Sequence, residues 1–221
     1  MNSETAAPKS LAGTEAIHRL GADLTSFLKT WIDKTLSSHL CDEIELLGKV
    51  IDRSPRSLTQ SRYKYVWTAA VYKYFEGLAA NPTRIGITAP HRWILYPTKQ
   101  PYAGEFITDF SINEEHYGFR VACESQWHAG AQNCKKISDA LAKLLHVKAD
   151  LKVLIFESHH SEENIESRTL FETLQNNYFN GYMRFNSPED FLLLQWSGDK
   201  VKGYLWQPFL NSELVSINIA I

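Results

Sequence analysis

The chain has 221 residues, 44% hydrophobic and 22% charged, with a formal net charge of −2. That is enough apolar material for one sizeable core, and the slightly acidic balance excludes a protein held on nucleic acid by bulk charge while leaving room for a local basic groove. Cys41, Cys123 and Cys134 form no CxxC pair and are expected to be free thiols of a reducing compartment. The opening MNSETAAPKS lacks the apolar core of a secretory signal, and no window approaches the roughly 18 apolar residues of a membrane span. The expectation is a cytoplasmic protein that does not touch a membrane.

Residues 1–10 are polar and predicted to be a flexible N-terminus; residues 11–221 read as one α/β domain. N-terminal helices are predicted within 14–79. Ile17, Leu20, Leu24, Phe27, Leu28, Trp31 and Ile32 recur at three- and four-residue spacing, and Ser37-Ser38 marks a break. A second helix would carry Leu40, Ile44, Leu47, Val50 and Ile51. The Pro- and Ser-containing loop 52–57 follows. Between Lys49 and Lys64 five basic residues, among them Arg53, Arg56 and Arg62, face a single acid, Asp52. This local surplus is a candidate contact for a phosphate backbone, against the plainer reading of a solvated loop. The helix predicted over 62–79 has an aromatic stripe (Tyr63, Trp67, Tyr74), which at helical spacing reads as core rather than as a base-stacking platform.

The core is predicted over 84–177. Residues 84–96 look strand-like around Ala89-Pro90-His91-Arg92, and Arg84 and Arg92 are basic candidates for a substrate phosphate. In Glu105–Trp127 two alternating strands flank a polar loop at 113–116. Phe106, Phe110 and Ile112 share one face and Asp109 the other; Phe119, Val121 and Cys123 oppose Arg120, Ala122, Glu124 and Gln126. Asp109 and Glu124 thus fall at neighbouring strand ends. Two such carboxylates suit a hard cation, since Mg²⁺ keeps several waters and takes only one or two protein carboxylates. A helix at 132–146, an apolar strand at 151–156 and a helix at 162–177 follow, then an antiparallel meander at 182–209 built from 182–185, 191–196 and 201–206. His159-His160, and Cys123 with His128 and Cys134, lack the spacing of a zinc site.

The pattern Asp109, then Glu124-Ser125-Gln126, resembles the PD-(D/E)xK nuclease superfamily over roughly residues 100–160. Gln126 stands where the usual Lys does, a variant seen with a following aromatic (here Trp127) in some type II restriction endonucleases. Thr108 replaces the usual Pro. The resemblance implies a restriction-endonuclease-like mixed central sheet with an αβββαβ core, the strand at 151–156 parallel to the strand carrying Glu124. It implies a Mg²⁺-dependent endonuclease cutting double-stranded DNA, working as a homodimer. Asp109 and Glu124 would bind the metal and Gln126 would position water. Arg53, Arg56, Arg62, Arg84 and Arg92 would contact DNA. It also makes Lys135 or Lys136 a candidate substitute for the missing Lys, and Glu45 or Glu76 a candidate extra acid. The alternative is a non-catalytic nucleic-acid- or protein-binding member of the same fold, favoured by the absent Lys and the negative charge.

Overall fold

The computed structural model describes residues 13–37, 58–96, 108–127, 133–157, 189–197, 200–207, 215–217 and 219, with side chains from 67 in the second helix. Within these it is an α/β structure: a seven-stranded mixed sheet with helices on both faces. Helix α1 is Thr14–Ser37, α2 is Leu58–Ala80 and α3 is Asn133–His146. The strands are β1 (Trp93–Tyr96), β2 (Phe110–Glu114), β3 (Gly118–Gln126), β4 (Leu151–Glu157), β5 (Asp190–Ser197), β6 (Lys200–Trp206) and β7 (Val215–Ile217). They lie side by side in chain order. β3, β4 and β5 are parallel; every other neighbouring pair is antiparallel.

Two apolar layers sandwich the sheet. On one side Ile17, Leu20, Leu24 and Leu28 of α1 and Trp67, Tyr74 and Phe75 of α2 pack on Phe110, Ile112, Val121, Cys123, Val153 and Leu192. On the other, Ile137, Ala140, Leu141 and Leu144 of α3 cover Ala122, Leu154, Phe156, Phe191 and Leu193. From Ile17 to Trp31 the stripe predicted for α1 is this buried face; the predicted Ser37-Ser38 break lies at the limit of the described residues. From Trp67 onward the aromatic stripe of α2 is core: Trp67 stacks on Trp127 at 4.5 Å and meets Trp196 edge-on at 4.7 Å.

Four features depart from the sequence reading. Only Trp93–Tyr96 of the 84–96 stretch is strand; Pro82–Ile85 is a 3₁₀ turn with Pro at its start, closed by Gly86 at φ 82°. The first strand of the acidic hairpin begins at Phe110, and its turn moves to 115–117. The register shifts between Ile112 and Asn113, so that Ile112 faces Val121 but Asn113 faces Phe119. This bulge leaves Arg120 as the extra residue and turns Phe119 onto the α3 layer, away from Val121 and Cys123. Finally, β5 pairs antiparallel with β6, as the predicted meander requires, but it is not confined to that meander. It pairs in parallel with β4, and Leu192, Leu193 and Leu194 are buried on both faces, as a strand inside a parallel sheet requires. The segments predicted as helices at 40–51 and 162–177 and as a strand at 182–185 lie outside the described residues.

Ile217 and Ile219 pack over β6 in the same layer as α1. A Cβ on Gly203 of β6 would lie 2.5 Å from Ile219 Cδ1 and 2.7 Å from Ile217 Cγ1. Gly203→Ala should therefore displace this segment and lower stability by about 1–3 kcal/mol in urea unfolding. An unchanged midpoint would show that the isoleucines repack freely.

Candidate functional site

Asp109 and Glu124 meet where β2 begins. Phe110 is paired with Cys123, so one residue earlier Asp109 comes opposite Glu124. At that point the ladder gives way to side-chain bonds: the Asp109 amide donates to Glu124 Oε1 at 3.1 Å, and the Ser125 amide and hydroxyl donate to Asp109 Oδ2 at 2.9 and 3.2 Å. Each carboxylate thus accepts from backbone beside the other. Glu124 is fully buried on the α3 face, while Asp109 is half-buried.

A cation completes the group. Lys143 Nζ of α3 lies 3.4 Å from both Glu124 oxygens, and its side chain is about half exposed (48%). The Lys135 and Lys136 side chains expected in this role are exposed in the first turns of the helix. Lys143 lies three residues after buried Ala140, at the rim of the face that packs on β3, so its stem follows the sheet while its head reaches water. That position carries no motif, which is why sequence reasoning missed it.

Burial, and next the negative charge of Asp109, push the Glu124 carboxyl up to about 7, against the opposing pull of Lys143 and the Asp109 amide. The pair resists carrying two negative charges. A divalent cation between them would relieve this, and carboxylate oxygens are the donors a hard cation takes. Among the described residues no group of three His, Cys, Asp or Glu side chains forms a metal cluster. Asp109 and Glu124 are the carboxylates that could hold such a cation.

The other predicted residues divide. Gln126 ends β3 on the α3 face, half-buried, two residues beyond Glu124. Arg84 is held by Asp23, with Nε 2.8 Å from Oδ2 and Nη2 3.0 Å from Oδ1, and lies over the Tyr74 ring at 5.1 Å; it ties the 3₁₀ turn to α1. Arg92 is exposed beside Trp93, which pairs with Glu114, so it stands about 20 Å along β2 from Asp109. Glu76 pairs with Lys73 at 2.8 Å on α2. Arg53, Arg56 and Glu45 lie outside the described residues, as does the Arg62 side chain. Trp127 is core, and burial, then Asp109 and Glu124, push the Cys123 thiol well up, which makes it an inert core residue.

No helix is long and apolar enough to cross a membrane among the described residues. Comparison with protein-family models, with curated proteins and with solved structures finds no match to this chain.

Proposed function

We propose that the chain is a Mg²⁺-dependent endonuclease that hydrolyses phosphodiester bonds of double-stranded DNA, of restriction type and acting as a homodimer. The observation that carries this reading is the meeting of Asp109, Glu124 and Lys143 at one end of the β2–β3 pair. The order α2–β1–β2–β3–α3–β4, with β4 parallel to β3, supports it, because that is the αβββαβ core the resemblance implies.

In this reading Asp109 and Glu124 hold the ion. The bound cation supplies a polarised phosphoryl oxygen and a water of lowered pKa. Glu124 must be ionised to bind it, and Lys143 favours that form. The half-exposed ammonium of Lys143 is also placed to meet negative charge gathering on a phosphate, the role Gln126 cannot fill because an amide carries no charge. Gln126 is left with orienting the attacking water through its amide. Arg53, Arg56 and Arg62 are proposed to hold the DNA backbone. The test is cleavage of supercoiled plasmid with Mg²⁺ or Mn²⁺. Nicked and linear products are expected; failure to cut any DNA with either ion removes the catalytic reading.

One observation favours a second reading. The same carboxylates close the open end of the β2–β3 ladder, because Asp109 accepts from the Ser125 amide and Glu124 from the Asp109 amide. A non-catalytic binding protein would keep the pair for that purpose alone.

A further inference from the structure

At the opposite end of the sheet from Asp109, two loops present a pair of imidazoles. His91 precedes β1 and His116 sits in the β2–β3 turn; both are exposed. Their ring centres are 6.0 Å apart and their planes cross at 89°. We propose that His91 and His116 together bind a borderline transition-metal cation of the Zn²⁺ class, with water filling the remaining positions.

The two loops are fastened to each other on both sides of the rings. The Glu115 amide donates to the Arg92 carbonyl at 2.9 Å, and the His91 amide donates to Glu114 Oε1 at 3.3 Å. Glu114 is itself buried and fixed by Arg120 at 3.0 Å, and Arg120 by Asp150 at 2.6 Å. His116 occupies the left-handed region at φ 66°, which histidine tolerates better than most residues but which still costs energy. These ties hold the ring-bearing backbones in place before any ion arrives, so chelation gives up little chain entropy.

The chemistry selects the ion. Imidazole nitrogens suit Zn²⁺, Cu²⁺ or Ni²⁺ rather than Mg²⁺. With Zn–N bonds of about 2.0–2.1 Å, two imidazoles on one ion hold their ring centres about 5–6 Å apart, so rotation of two exposed side chains completes the site. It shares no ligand with Asp109 and Glu124. An ion there would clamp the entry of β1 to the turn that follows β2, and it stands whether or not the chain cuts DNA.

The test is calorimetric titration of tag-free protein with ZnCl₂, with NMR of the imidazole protons alongside. Beside uptake by the Asp109–Glu124 pair, one binding event is expected that moves both rings' resonances and weakens at least tenfold in His91→Ala and in His116→Ala, while excess Mg²⁺ leaves it unchanged. Both side chains are exposed, so circular dichroism of each variant should match the wild type. Absence of binding, or an affinity unchanged in either variant (as when the ion is held by His159 and His160), overturns the proposal.

Discussion

Glu124→Gln should abolish cation binding and plasmid cleavage, and it should flatten the dependence of stability on pH. Glu124 titrates near 7 in the folded chain and near its ordinary 4.5 when unfolded. Between those values the folded chain holds a proton that the unfolded chain has released. Stability of the metal-free protein therefore falls as pH rises through that window, by up to about 3 kcal/mol. Gln keeps the shape and an oxygen for the Asp109 amide but cannot ionise. The variant should be as stable as wild type near pH 5 and more stable at pH 8. Mg²⁺ should raise the wild type at pH 8 and leave the variant unmoved. Urea unfolding from pH 5 to 8 measures this, and parallel curves for the two proteins would refute the burial account of Glu124. With the metal lost, cleavage should fall about 10³-fold or more.

Lys143→Ala should cost about 10²–10³-fold in cleavage, the usual loss on removing one group that meets transition-state charge. It also takes away a group that holds Glu124 ionised. What remains, burial and the charge of Asp109, raises the Glu124 carboxyl further. The acid limb of the pH–rate profile should move to higher pH, and the optimum with it. Lys143→Arg should restore the limb and part of the rate. A loss of rate with no movement of the limb would mean that Lys143 meets the phosphate without supporting Glu124. No loss at all would return Lys143 to an ordinary exposed helix lysine.

The acid pair was legible in the sequence because alternation is a local signal. Phe110, Ile112, Val121 and Cys123 fixed which face was core, and so left Asp109 and Glu124 on the other. The parallel course of β4 followed from an apolar run after a helix of the right length. What local pattern could not carry was pairing at long range. Leu192–Leu194 reads equally as a hairpin strand or as a parallel one until β4 is beside it. Phe119 was assigned to the wrong layer because a single extra residue, Arg120, inverts the alternation before it. Lys143 was hidden for a similar reason, since only the packing of α3 across β3 brings residue 143 to residue 124.

A titration of wild type and Asp109→Asn with Mn²⁺ shows whether Asp109 and Glu124 share a divalent cation. Asn keeps an oxygen to accept from the Ser125 amide and hydroxyl, so the end of the β2–β3 ladder survives. It removes one ligand charge. Wild type should bind one Mn²⁺ at millimolar concentration or below, and the variant should bind at least tenfold more weakly while unfolding at a similar urea concentration. Equal binding by the two proteins, or no binding by the wild type, would rule out a shared cation and leave the pair as the lock that closes the strand ends.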